Sequence, residues 1–302
     1  MDHLSKIYLI SGPTASGKTE FAIKLAKKIK GEIINADSMQ IYKELKILTA
    51  RPTNKDKKKC KHHLYGFANV NKKFSVGSWL KLVIKKIDNI RSNKKVPILV
   101  GGTGMYFTAI TSGLVKIPTV PKKVRNETMK LRIKLGQKKF FSKLIKLDPK
   151  IINTINENDA QRSVRAFEVK KYTKRSIIDW YKETKKNYND DEFIKLYIDY
   201  PRADLIKKIN KRINLMFKIG AVNEVKKFLR LKVRKEFSPN KVIGINEISG
   251  YLSGKINYDE MKDRIAIKTR QYAKRQSTWA RGKMTNWQKI NPKDLDMFLK
   301  KI

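Results

Sequence analysis

The feature that most constrains this chain is the stretch Leu9 to Ala26, LISGPTASGKTEFAIKLA. An apolar, strand-like run breaks there at Ser11-Gly12-Pro13, and a helical pattern starts near Lys18. Between them lies Gly12-Pro13-Thr14-Ala15-Ser16-Gly17-Lys18-Thr19, the spacing of a phosphate-binding loop. Gly12 and Gly17 let the backbone curl so that successive N–H groups turn toward an anion. Lys18 sets a positive charge against the terminal phosphates, Thr19 offers a hydroxyl to Mg²⁺, and the following helix presents its positive end. The loop leaves open whether the bound group is a nucleoside triphosphate or another diphosphate.

Strand, loop and helix in that order predict an α/β fold, a P-loop-containing parallel sheet flanked by helices. Apolar runs bounded by turn residues predict strands at Ile7–Ser11, Glu32–Asn35, Val96–Val100 and Phe193–Ile198, with helices at Lys18–Lys30 and Ser78–Asn93. From residue 116 to 190 the strand signals fade into short helical patterns rich in Lys and Arg, which predicts an inserted helical, basic subdomain. The core is then expected in two parts, 1–115 and 191–302, and the chain after Arg202 reads as helical almost to its end.

Charge narrows the partner. The 302 residues include 70 Lys and Arg against 27 Asp and Glu, a formal net charge of +43. Such an excess repels itself unless a polyanion is near, so nucleic acid is the first partner to consider. Abundant Lys, Ile and Asn also fit an A+T-rich coding sequence, which accounts for part of the lysine. A single cysteine, Cys60, excludes an internal disulfide framework and a multi-thiolate zinc site, and fits a reducing cytoplasm. The N-terminal stretch lacks the pattern of a signal peptide, and no run approaches 18 apolar residues. The expectation is a soluble cytoplasmic monomer without membrane contact.

Two further loops belong at the carboxyl edge of the sheet, where parallel strands gather an active site. EIINADSMQIY puts Asp37 at the end of the second strand. Gly101-Gly102-Thr103-Gly104 follows the third, where glycines imply a tight turn or the close approach of a ligand. Asp199 ends a later strand and reads more simply as a cap of the helix beginning near Arg202. His62 and His63 look like metal ligands in isolation, but nothing completes a site, so they read as a structural or pocket-lining pair. Tyr65, Trp79 and Trp180 read as core or stacking surface.

Together, GPTASGKT (12–19), INADSMQIY (34–42), HHL (62–64), GGTGMYF (101–107), DAQRSVRAFEV (159–169), VIGINE (242–247) and TRQYAKRQSTWAR (269–281) resemble the tRNA dimethylallyltransferases, also called tRNA isopentenyltransferases. The phrases keep the family's order and run from end to end. Without Cys/His pairs for a C-terminal zinc finger, the chain resembles the shorter bacterial form.

The resemblance implies that dimethylallyl diphosphate binds the phosphate loop with Mg²⁺. It implies that the prenyl group goes to N6 of the adenosine at tRNA position 37, just 3′ of the anticodon. Asp37 would be the base that takes the amine proton, Thr103 would orient the adenine, and Arg202 would lie near the diphosphate. Asp37, Ser38, Met39 and Gln40 would wall the extruded base, with Gln40 bonding an adenine edge. Arg125, the stretch Gln161-Arg162-Ser163-Val164-Arg165, Arg270, Arg275 and Arg281 would face tRNA, although a solvated basic surface competes for each.

The chain departs from the family pattern at Ile245, where an aromatic is usual, at Ala280, where phenylalanine is usual, and at Leu48 and Arg51, where glycine and lysine are common. No catalytic motif is touched. Two rivals remain: a small-molecule kinase, which explains the loop but not the charge, and a nucleic-acid-dependent NTPase, which lacks the acidic pair expected after a hydrophobic strand.

Overall fold

The apolar runs form strands for the reason their composition gives: a strand covered by helices on both faces needs no polar alternation. In the computed structural model, which describes residues 2–302, β1 (Ile7–Ser11), β2 (Gly31–Asn35) and β4 (Val96–Val100) are buried along their whole length. Two short strands complete the sheet with β5 (Phe193–Ile198): β3 (His62–His63) and β6 (Gln288–Ile290). The order is β3-β2-β4-β1-β5-β6, parallel throughout. Tyr8 lies opposite Ile98 on one side and Ile194 on the other.

Helices cover both faces. α1 (Lys18–Lys28) and α12 (Leu295–Lys301) pack on one, around Phe21, Leu25, Ile33 and Ile98. α3 (Val76–Ser92) and α4 (Gly104–Ser112) pack on the other, where Trp79 stacks on Tyr106 at 4.0 Å between centroids. The short α2 (Asn54–Lys59) starts at a Thr53–Asp56 capping box. Trp79 and its neighbours are core, as expected. Ser75 caps α3 by accepting from the Ser78 N–H, and an apolar stripe from Trp79 to Ile90 buries one side of that helix.

The chain divides into two compact units, one made of the residues up to Thr111 with Tyr188–Ile302, the other Ser112–Asn187. The second unit contains α5 (Lys122–Leu147), α6 (Ala160–Thr173) and α7 (Ile177–Lys182) around Phe140, Leu144, Ile151 and Phe167. Gly136 breaks the helical backbone inside α5.

In the first unit, α8 (Arg202–Lys218), α9 (Ala221–Arg230), α10 (Ile245–Leu252) and α11 (Tyr258–Lys283) build a third core with Ile41, Tyr42 and Leu45. After Arg202 the chain is helical as far as Lys283, and β6 then adds a sixth strand beside β5 before α12. One expectation is corrected here. Asp199 does not cap α8: the helix starts after Pro201 without a side-chain cap, and the Asp199 N–H instead donates to the Ile290 carbonyl at 3.0 Å.

Candidate active site

Four strand ends, those of β1, β2, β4 and β5, meet at the carboxyl edge, and the first three supply a cavity of about 280 Å³ lined by the phosphate loop, Asp37, Gln40 and Gly101. Gly17 begins α1 with no side-chain cap, so the first-turn N–H groups, which have no partner within a helix, are left for a ligand. The Lys18 ammonium is curled into the loop, donating to the carbonyls of Gly12 at 2.8 Å and Pro13 at 2.6 Å. Burial lowers its pKa to about 7, opposed by the nearby Asp37 carboxylate and reinforced by the Arg212 charge. An anion at this end of α1 would restore the charge that burial disfavours.

Asp37 feels the converse. Burial raises the pKa of its carboxyl, while the N–H of Met39, donating at 2.9 Å, and the charges of Lys18 and Arg212 pull it down. The turn that carries it is fixed by Asn35, fully buried, whose side-chain oxygen accepts from the Asp37 N–H at 2.8 Å and whose amide donates to the carbonyls of Asp37 and Leu64. Thr103 then joins the second loop to the third: its hydroxyl oxygen accepts from the Ser38 N–H at 2.9 Å. Asp37, Ser38 and Thr103 are thus neighbours; Asp37 and Gln40 line the cavity, while Met39 packs against the core of the C-terminal helices.

Two residues that the sequence reading did not pick tie this edge to the C-terminal helices. Arg212 on α8 donates to the Thr14 hydroxyl at 2.8 Å. Gln276 on α11 accepts from the Thr14 N–H at 2.8 Å and donates to the Gly102 carbonyl at 2.9 Å, bridging the first and third loops. A Cβ at Gly102 would run into the Gln276 amide, and one at Gly104 into the Trp279 ring, so the glycines of this motif admit α11 as well as shaping a turn. Gln276 sits within TRQYAKRQSTWAR, but no signal within that phrase marks it out. Arg212 lies outside every quoted motif. Tyr65, expected as core or stacking surface, lines the cavity, and burial with the Asp37 charge pushes its phenol pKa up.

The other expected residues are placed as follows. Arg202 is exposed at the start of α8, with Arg212 the arginine of that helix that reaches the loop. On α11, Arg270 is half-buried, Arg275 is exposed over the Tyr272 ring, and Arg281 is exposed. Within the second unit, Arg125, Gln161 and Arg162 are exposed and Arg165 is half-buried. Ser163 and Val164 are buried on the inner face of α6, so the outward surface of that stretch is Gln161, Arg162 and Arg165.

His63 pairs with Glu32 at 2.7 Å and His62 with the Cys60 carbonyl at 2.8 Å, which makes them a structural pair. Among the described residues no three His, Cys, Asp or Glu side chains cluster as metal ligands. A divalent ion here would therefore draw on Thr19, phosphate oxygens and water, a donor set that suits Mg²⁺. Of the departures from the family pattern, Ile245 and Ala280 are buried core residues, and Leu48 packs against Gly244.

The family described as IPP transferase matches residues 40–283 of the chain. A tRNA dimethylallyltransferase of Pelagibacter ubique is 59% identical over 302 residues, covering 100% of this chain and 96% of that one. The crystal structure of the full-length tRNA isopentenylpyrophosphate transferase of Bacillus halodurans is similar with a TM-score of 0.70 and 30% identity, covering 98% of this chain and 95% of that chain. A eukaryotic dimethylallyltransferase acting on tRNA aligns with a TM-score of 0.84 and 25% identity, over 96% of this chain and 75% of that chain.

Proposed function

This chain belongs to the IPP transferase family, and from that premise we propose that it is a tRNA prenyltransferase. It transfers a dimethylallyl group from dimethylallyl diphosphate to N6 of the adenosine at tRNA position 37 and releases pyrophosphate. The reading places it in the cytoplasm with its tRNA substrate. No helix among the described residues is long and apolar enough to cross a membrane.

The observation that carries the reading is one cavity holding both an uncapped helix end with Lys18 and the carboxylate of Asp37. A phosphate site alone serves many reactions. A phosphate site sharing its cavity with the Asp37 carboxylate and Gln40 suits attack by an exocyclic amine. The adenosine N6 lone pair forms a bond to C1 of the allyl group as the bond from C1 to the diphosphate oxygen breaks. The N6 proton passes to Asp37, whose raised pKa makes it a better acceptor than an exposed carboxylate.

The departing diphosphate gathers charge, and the α1 N–H groups and Lys18 are fixed donors for it. Mg²⁺ held by the Thr19 hydroxyl and phosphate oxygens would add a positive charge to that leaving group. Gln276 and Arg212 hold Thr14, so the loop is shaped before substrate arrives. The target base must leave its stack, at a cost of a few kcal/mol, which phosphate contacts from the basic surface offset. Incubation with labelled dimethylallyl diphosphate, Mg²⁺ and unmodified tRNA, followed by nucleoside analysis, is expected to give labelled N6-dimethylallyladenosine. A tRNA left unlabelled would remove the proposal.

A further inference from the structure

Glu224, on the first turn of α9, lies outside every quoted motif, yet its carboxylate accepts three consecutive backbone N–H groups. Lys46 and Ile47 donate to Oε1 at 2.6 and 2.7 Å, and Leu48 donates to Oε2 at 2.9 Å. A carboxylate holding three N–H groups is a strong, charge-assisted clamp. The clamp fixes a tight turn: the Ala50 N–H donates to the Ile47 carbonyl, the Arg51 N–H to the Lys46 carbonyl, and the Thr49 hydroxyl to the Leu45 carbonyl. Ala50 takes a positive φ of 50°, a conformation a non-glycine residue keeps only when its surroundings hold it.

The turn ends in the site. Ala50 lines the cavity, and the Thr49 carbonyl accepts from the Gln40 carboxamide nitrogen at 2.9 Å. Gln40 also lines the cavity, its backbone carbonyl held by the Gly66 N–H at 2.9 Å. With the nitrogen committed to Thr49, the carboxamide presents its oxygen, to which nothing donates among the described residues. A glutamine free to rotate offers a donor or an acceptor in any direction; one pinned through an N–H keeps its oxygen turned one way, with only the second N–H left as a donor.

We propose that Glu224 is a positioning residue for base selection, holding the 46–49 turn so that the Gln40 oxygen faces the target base and accepts from the amino group of adenine. A purine with a carbonyl at that position would meet oxygen against oxygen. This rests on the proposed adenosine substrate and names how the site chooses it.

The test reads binding without turnover: the dissociation constants of an anticodon stem-loop carrying adenosine at the target position, and of the same stem-loop carrying inosine. The wild type should prefer adenosine by about tenfold or more, the size of one good base-edge contact. Glu224→Ala should lose most of that preference, and Glu224→Gln, which keeps an oxygen for Lys46 and Ile47, should recover part of it. Gln40→Leu should lose it as well, and the double variant should be no worse than either single.

Affinity for dimethylallyl diphosphate should stay unchanged in the Glu224 variants. A retained preference in Glu224→Ala, or losses that multiply in the double variant, would make Glu224 a brace of the fold only and overturn the inference. A wild type that binds both stem-loops alike would overturn it too. Prenyl transfer by the wild type is assayed separately, so failure of the adenosine reading is seen apart from failure of this one.

Discussion

Asp37 sits where burial and charge pull in opposite directions, and the balance decides its work. Burial dominates, so its pKa lies above that of an exposed aspartate, near 3.9. A base must be unprotonated to act. Transfer should therefore fall as pH drops through that raised pKa, at a higher pH than an ordinary carboxylate would give. In Asp37→Asn this acid limb should vanish from the pH–rate profile, with transfer about 10²–10⁴-fold slower and tRNA binding intact. Equal loss of binding and transfer would make the residue structural.

Lys18 answers to a different ligand. Lys18→Ala should weaken dimethylallyl diphosphate about 10–100-fold, the worth of a hydrogen bond to a charged group, and leave tRNA affinity alone. Equilibrium binding of each substrate decides it. These residues were legible in the sequence because each sits beside a strand end in a short phrase. Arg212 and Gln276 were not, because their bonds to Thr14 span 198 and 262 residues and no local pattern encodes them.

Elements differ in the same way. β1, β4 and β5 were read correctly to the residue because both faces are covered, which makes the run apolar and turn residues its only boundaries. β6 escaped because its sequence, QKI, puts two exposed polar residues on the sheet's edge and buries only Ile290. β3 is two half-buried histidines and carries no periodicity at all. The insert showed as a loss of strand signal between 116 and 190; the compact unit observed runs Ser112–Asn187.

What no sequence pattern reveals is how one element leans on another, and the contact of α4 with α11 makes the point. Gly104 opens α4 beneath the Trp279 ring, where an added methyl meets indole atoms. Gly104→Ala should destabilise the fold by about 1–3 kcal/mol through overpacking, seen as a lower Tm. It should also slow transfer, since α11 carries Gln276. A Tm and rate equal to wild type would mean the ring moves aside freely.

Across the whole molecule the ruling quantity is charge, +43 over 302 residues. A surface so basic binds RNA by releasing counterions, so tRNA affinity must fall steeply with salt while binding of a small diphosphate to a buried site falls far less. The outward arginines of the second unit are suited to the first role. Arg125 is exposed, and among the described residues Arg162 and Arg165 pair with helix-neighbour carboxylates, Asp159 at 3.0 Å and Glu168 at 3.7 Å. The open Arg162–Asp159 pair is worth about 0–1 kcal/mol, so exchanging it for a phosphate costs little, whereas Arg165 is half-buried against a buried Glu168. Replacing all three by alanine should weaken tRNA binding at low salt and make the slope of log K against log salt shallower by about 2, near 0.7 for each lost contact. The KM for dimethylallyl diphosphate should not move. A slope unchanged by the triple substitution would make these arginines a solvated face, leaving the charge of the first unit to carry the RNA.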